Sequence, residues 1–237
     1  MNIKILNSTT IKIIAIILMV CDHIHQMFAP LGAPIWLTWL GRPVFILFLF
    51  AAAEGFHYTR SKKKYLLHMF YASAAMTVIT FGTQVILPND NVVLMNNAFA
   101  TFLVAGIYML IWDRFLAAVQ EKNAGKSITS VLLAVLPIAA ALPFLLTASY
   151  ISNSEAGMTG VGRALMMVTM VIPNIVTVEG GVGMVIIGLV FYMLRQWRWA
   201  QIAFLALFSA AMFIVSKDAS LQWLMIAAAV PMLMYNG

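Results

Sequence analysis

The sequence predicts an all-α fold: a polytopic membrane helical bundle of about eight transmembrane helices plus one re-entrant or half-length helix. Three observations lead there. The 237 residues are 63% hydrophobic and only 9% charged, with a mean hydropathy of +0.95. A soluble domain carries about 25% charged residues, so this chain has too little polar surface to coat a globule in water, and too much apolar surface to stay disordered. The apolar residues come in runs close to the length of about 20 residues that crosses a bilayer as a helix. The segments between those runs hold the turn formers and most of the basic residues.

The first run is 11–29. Lys4, Lys12 and Ile13–Val20 imitate a secretory leader, but Asp22, His23 and His25 stand where small residues should lead to a cleavage site, so an uncleaved first span is expected. Pro30-Leu31-Gly32-Ala33-Pro34 separates it from a second run at 35–57. The third run is 65–87. Pro88-Asn89-Asp90-Asn91 divides it from the fourth at 93–118, and Asn123-Ala124-Gly125-Lys126 precedes the fifth at 128–151. Runs at 179–195, 199–215 and 219–235 complete the eight. Trp36, Trp39, Trp112, Trp197, Trp199, Trp223 and Tyr235 fall near run ends, as an aromatic belt does.

The stretch 163–178 is apolar but short, and Pro173-Asn174 breaks it. The positive-inside rule places Lys4 and Lys12 in the cytoplasm, then Arg60, Lys62, Lys63 and Lys64, then Arg114, Lys122 and Lys126. Arg195 and Arg198 also fall inside if 163–178 re-enters rather than crosses; a lone Lys217 and Arg163 remain exceptions. Both termini are therefore expected in the cytoplasm of a cell (inner) membrane protein. Re-entrant backbone normally lines a cavity, which draws attention to Asn174 and Glu179. With no internal repeat, residues 1–237 read as one integral-membrane domain.

The net charge of +6 sits in short loops rather than on one surface, which excludes a nucleic-acid partner and leaves the lipid bilayer as the surroundings. Cys21 is the single cysteine, so no internal disulfide and no cysteine-based metal site is expected. His23 and His25 are two residues apart and diverge on a helix, so no metal site is expected from them either.

Ionisable side chains within spans are expensive and mark function. Lys12, Asp22, His23, His25, Arg42, Glu54, His57 and His68 are the candidates. Lys12 and His23 are eleven residues, about three turns, apart and share a face, with Asp22, Met19 and Gln26 at its edge. His23 lies roughly 18 Å along the first helix and Arg42 roughly 10 Å along the second, which runs the other way. In a core of about 30 Å these depths match, so Asp22, His23 and Arg42 are expected to meet in the outer half. Asn96 and Asn97 lie at a compatible level. Lys12, Glu54 and His57 lie toward the inner boundary, just before Arg60, Lys62, Lys63 and Lys64. That basic run reads as a topology anchor, as a phosphate-binding cluster, or as both. A histidine beside a carboxylate is a general-base arrangement; an Asp22–Arg42 ion pair that only locks two helices, or a proton relay, uses the same residue types.

The stretches KIIAIILMVCDHIHQMF and GRPVFILFLFAAAEGFHYTRSKKKYLLHMF, followed by NNAFATFLVAGIYML, EGGVGMVIIGLVFYML and LQWLMIAAAVPMLMYNG, resemble the TraX family of integral-membrane proteins. The order of Asp-His, Gly-Arg, Glu-Gly-Phe, Asn and a final Tyr-Asn-Gly carries the resemblance, which is weaker over about 120–175. That family is known for acetylating the N-terminal amine of conjugative pilin, and it is similar to the wider superfamily of membrane acyltransferases that use acyl-CoA. In those, a basic residue precedes a first-span histidine by eleven positions, the spacing of Lys12 and His23, and an Arg early in a following span resembles Arg42. Three positions depart from the pattern. His25 stands where the family usually has Gly, Pro43 follows Arg42 directly, and Lys12 replaces the commoner Arg.

The resemblance implies an acetyl-CoA-dependent acyltransferase. His23 is then the general base, Asp22 orients it, and Arg42 or the pair Asn96 and Asn97 stabilises the oxyanion. Acetyl-CoA, the acyl donor, meets Lys12, Glu54, His57, Arg60, Lys62, Lys63 and Lys64. Asn96, Asn97 and Glu179 face an acceptor from the outer side: a protein N-terminus, a glycan or a small molecule. The alternative is a small proton-coupled membrane transporter built on the same charges.

Overall fold

The computed structural model describes residues 5–87, 97–153, 160–216 and 220–237. Among these residues the regular structure is helical, apart from an isolated bridge between Leu6 and Tyr235. Six helical segments are long and apolar enough to cross a membrane: Ser8–Leu31, Trp36–Tyr58, Lys62–Gln84, Ala98–Gln120, Ala124–Ser152 and Arg198–Ser216. The fold is thus the expected all-α membrane bundle. The expected runs at 179–195 and 219–235 hold shorter apolar helices, Gly181–Met193 and Leu221–Leu233; 13 residues rise only about 20 Å. The ambiguous stretch holds a 12-residue helix, Gly160–Val171. Backbone contacts divide the chain into two compact units, Met1–Tyr58 with Val190–Gly237, and Thr59–Leu189.

In the first unit, α1 (Ser8–Phe28) begins at Asn7, whose Oδ1 accepts from the Thr10 N–H at 2.8 Å. This supplies a partner for one of the N–H groups that a helix start leaves open. Ile11 and Ala15 are fully buried on one face, while Ile13, Ile16, Ile17 and Val20 are exposed on the other, as a lipid-facing helix requires. Gly32, at φ +91°, reverses the chain after Pro30. The second run is then two helices, α2 (Trp36–Gly41) and α3 (Val44–Tyr58). Pro43 has no N–H to donate and crowds the preceding turn, which accounts for the break at Arg42–Pro43. Past it, α3 is the core element: Ile46, Leu47, Leu49, Phe50 and Phe56 are fully buried. α11 (Arg198–Ser216), a 3₁₀ segment Leu221–Ala228 and α12 (Ala229–Leu233) complete the unit. The chain ends are stitched together: Ile5 and Leu6 N–H donate to Met234 O, and Asn236 N–H donates to Leu6 O, each at 2.9 Å.

The second unit contains α4 (Lys62–Ile86), α5 (Ala98–Gln120), α6 (Ala124–Ala134), α7 (Leu136–Ala139), α8 (Leu142–Ser152), α9 (Gly160–Val171) and the start of α10 (Gly181–Met193). α6, α7 and α8 are one apolar path broken twice, with Pro137 and Pro143 in the first turns that follow the breaks. Between α9 and α10 the backbone is not helical, and several of its polar groups are paired within the protein. The fully buried Asn174 accepts from Val176 N–H (2.9 Å) and Thr177 N–H (3.0 Å) and donates to Ile172 O (2.9 Å). Ile175 N–H donates to Pro137 O at 3.1 Å. Pairing of this kind is what irregular backbone needs away from water, and α9 ends two residues before Pro173. Gly180, at φ +72°, closes the segment against Met184; a Cβ there would stand 2.5 Å from Met184 Cγ.

Candidate active site

Two polar clusters occupy the first unit. The first is centred on Asp22. With 100° per residue, Asp22 falls on the buried stripe of Ile11 and Ala15, and His23 is turned away onto the exposed face with Lys12. Asp22 Oδ1 accepts from Thr38 Oγ1 at 2.7 Å, and Oδ2 accepts from Gln26 Nε2 at 2.7 Å. Arg42 caps α2: its Nη2 donates to Thr38 Oγ1 at 2.9 Å and its Nε to Thr38 O at 3.2 Å. Arg42 Nη2 stands 3.8 Å from Asp22 Oδ1. The expected meeting of Asp22 with Arg42 is thus present as geometry, with Thr38 bridging the two. Gly41 makes the approach possible: a Cβ there would stand 2.5 Å from Asp22 Cβ and 2.6 Å from Oδ1.

One expected contact is different. Asp22 makes no hydrogen bond to His23 among the described residues: neighbours on a helix diverge, and its oxygens accept from Thr38 and Gln26. The His23 ring is held instead by Met19 O, 2.8 Å from Nδ1. A carbonyl only accepts, so Nδ1 donates this bond, and in the neutral ring the lone pair then lies on Nε2. The side chain is exposed, which leaves Nε2 open to a reactant.

The second cluster surrounds Glu54, which is 6% exposed. Arg198 Nη2 lies 3.4 Å from Glu54 Oε1, and Arg198 Nη1 donates to Gln201 Oε1 at 2.7 Å. Gln201, fully buried, donates on to Phe191 O at 2.6 Å. The Arg198 guanidinium carbon stands 4.4 Å from the Phe50 ring centre and 5.0 Å from that of Tyr235. Glu54, grouped from the sequence with the donor-binding residues, thus has its carboxylate committed to a buried ion pair with Arg198. His57, one turn on, is exposed, with its ring 4.9 Å from that of Tyr58 and 6.3 Å from that of Tyr192. Lys12 is exposed as well.

The remaining candidates belong to the second unit. Arg60, Lys63 and Lys64 are exposed and Lys62 is half-buried. Ser61 Oγ accepts from Lys64 N–H at 3.3 Å and starts α4, so the three lysines form its first turn. Cations there oppose the helix dipole, an arrangement that an anion would relieve. Asn97 is a correction. Its Nδ2 donates among Ser73 O (3.0 Å), Ser73 Oγ (3.1 Å) and Thr77 Oγ1 (3.0 Å), while its Oδ1 accepts from Ala100 N–H at 3.1 Å. Asn97 therefore caps α5 and ties it to α4, with no group left over for an oxyanion. Asn96 lies outside the described residues. Glu179 is half-buried, and its carbonyl accepts from Thr101 Oγ1 at 2.9 Å.

Thr38, Gly41, Arg198, Gln201 and Tyr235 were not among the sequence candidates. Thr38 was within reach, since it lies four residues before Arg42 and so on the same helical face. Arg198 served only as a topology marker, and 144 positions separate it from Glu54, so no spacing rule connects them.

Comparison with known families agrees with the resemblance. The model of the TraX protein family matches residues 7–153, more than half of the chain. Neither the comparison with curated proteins nor that with solved structures gives a match. The chain belongs to the TraX family, which is associated with acetyltransferase activity.

Proposed function

We propose that this TraX-family protein is a membrane-embedded acyltransferase that moves an acetyl group from acetyl-CoA to an amine or hydroxyl acceptor, with His23 as general base. The observation that carries the reading is the His23 ring. Its Nδ1–H is fixed on Met19 O, its Nε2 is open, and the preceding residue begins the Asp22–Thr38–Arg42 network.

The chemistry follows from that geometry. The acceptor N–H or O–H gives its proton to His23 Nε2 as its nitrogen or oxygen attacks the thioester carbonyl. The C–S bond then breaks, and the thiolate leaving group takes the proton back from the imidazolium. Negative charge on the tetrahedral carbonyl oxygen is met by Arg42, whose Nη1 has no partner among the described residues. Asp22 acts as a positioning residue for Arg42 through Thr38, rather than for His23. In the first unit Lys12, on the face of His23, and His57 suit a phosphate of the donor, and in the second unit the basic residues Arg60, Lys62, Lys63 and Lys64 do so by their own charge. The basic loops support cytoplasmic termini in a cell (inner) membrane, with the acceptor entering from the outer side. A pilin N-terminus, a glycan or a small molecule all fit this chemistry.

The test is acetyl-CoA binding by calorimetry, then CoA release on adding amine and sugar acceptors, for wild type, His23→Ala and Arg42→Ala. Wild type binds and releases CoA, and His23→Ala binds but turns over about 10²–10⁴-fold more slowly. Absence of binding at millimolar acetyl-CoA would overturn the donor assignment and favour transport along the same charges.

A further inference from the structure

The second unit holds a cavity that the acyl-transfer residues do not use. It lies where α5 ends and α6 begins, and its volume is about 560 Å³. Pockets for small molecules fall in the range of about 300–1,000 Å³. We propose that it binds a phosphate ester that also carries hydroxyl or amino groups.

The lining supplies donors and acceptors separately. Arg114 is exposed and has no hydrogen-bond or ion-pair partner among the described residues. Lys126 places Nζ 2.6 Å from Glu121 Oε2, leaving further ammonium protons free. Asn123 uses its Oδ1 for Lys126 N–H, at 3.0 Å, so its amide N–H₂ remains to donate. These groups suit phosphate oxygens, and Arg114 suits them bidentately. The acceptors are Glu121 and two hydroxyls. Thr129 Oγ1 gives its proton to Gly125 O and Ser130 Oγ to Lys126 O, both at 2.9 Å, so each of these lining residues has only hydroxyl lone pairs left to offer. A bare phosphate offers such acceptors little, whereas a phosphate ester with a hydroxyl or amino group satisfies both sets.

The site is also built rather than incidental. Its floor includes the buried Ala118, and the turn beneath is held by Glu121 N–H on Ala117 O and Asn123 N–H on Ala118 O, both at 2.9 Å. Lys122 sits at φ +52°, a left-handed conformation that costs energy for any residue but glycine. Trp112 and Phe115, with ring centres 6.0 Å apart, lie near Arg114 toward the end of a helix long and apolar enough to cross a membrane, where aromatic residues are enriched at the membrane–water boundary. The ligand can therefore come from either phase: a phospholipid headgroup from the bilayer, or the phosphorylated nucleotide end of coenzyme A from water.

The purified full chain is examined by native mass spectrometry with phosphatidylglycerol, phosphatidylethanolamine, diacylglycerol or coenzyme A as probe. Wild type is compared with Arg114→Gln, Lys126→Gln, the double variant and Lys126→Arg, with the unfolding midpoint of each recorded. Wild type should retain a phosphate-bearing probe and not diacylglycerol. Retention should fall roughly tenfold for each cation removed and be kept by Lys126→Arg. Loss of phospholipid in the double variant assigns the site to a headgroup; loss of coenzyme A assigns it to the nucleotide and moves the donor's phosphates here from Arg60, Lys62, Lys63 and Lys64. Equal retention of every probe by wild type and double variant overturns the proposal, as does retention of diacylglycerol equal to that of the phospholipids. His23→Ala should bind as wild type does, which separates failure of this site from failure of the acyl-transfer reading.

Discussion

Gly41→Ala should destabilise the first unit, and the reason can be isolated. An added Cβ would stand 2.5 Å from Asp22 Cβ and 2.6 Å from Asp22 Oδ1, about 1 Å inside ordinary contact. Overpacking of this kind costs about 1–3 kcal/mol. Pushing Asp22 away also strains its bond to Thr38, and an interhelical hydrogen bond in a membrane protein is worth about 1 kcal/mol. Against this, Ala is better than Gly inside a helix by about 1 kcal/mol. The net is a loss of about 2 kcal/mol. In an Asp22→Gly background both the clash and the bond are gone and only helix preference remains, so the same substitution should stabilise by about 1 kcal/mol. The double-mutant coupling is then about 3 kcal/mol. Reversible unfolding in mixed detergent micelles, followed by tryptophan fluorescence, measures all four proteins. An equal effect of Gly41→Ala in both backgrounds would refute the close approach of Gly41 to Asp22, and with it the way Arg42 is positioned.

The other expectations concern separate parts of the molecule. Arg198→Met leaves Glu54 buried without its cation and should cost about 3 kcal/mol, while Glu54→Leu in the same chain should restore most of it in the same unfolding assay; an additive double variant would show that the pair is not coupled. Asn97→Ala removes both the α5 cap and the tie to Ser73 and Thr77, for about 2 kcal/mol; an unchanged midpoint would mean that these bonds are not made. Lys122→Gly relieves the left-handed backbone and should stabilise by about 0.5–1 kcal/mol, with a lower midpoint counting against that geometry. Charge reversal at Lys62, Lys63 and Lys64 should weaken acetyl-CoA binding in calorimetry more than it slows turnover at saturation, and unchanged binding would leave the run as a topology anchor alone.

What could be read from the sequence was what depends on periodicity and depth. Apolar runs locate the helices, Pro173-Asn174 marks where α9 stops, and counting residues along two opposed helices brings Asp22 level with Arg42, which the structure places 3.8 Å apart. Pro43 was visible too, although its effect, a break that turns Arg42 into the cap of α2, needs the backbone to be seen. Properties that depend on rotamers and on distant pairing were not legible. Spacing put His23 beside Asp22 in sequence, but only the ring orientation shows that Met19 O rather than the carboxylate holds Nδ1. Glu54 looked like part of a cytoplasmic cavity until Arg198, 144 positions away, came to meet it. Both arrangements have one cause. A buried carboxylate needs hydrogen bonds or a cation, and the sequence shows the need without showing what meets it. Asp22 is supplied with neutral donors from Thr38 and Gln26, which leaves the Arg42 guanidinium part of its hydrogen-bonding capacity; Glu54 takes its cation directly and is neutralised. A carboxylate on α1 thus joins a network of neutral donors while one on α3 closes an ion pair, and the difference lies in the partner each finds.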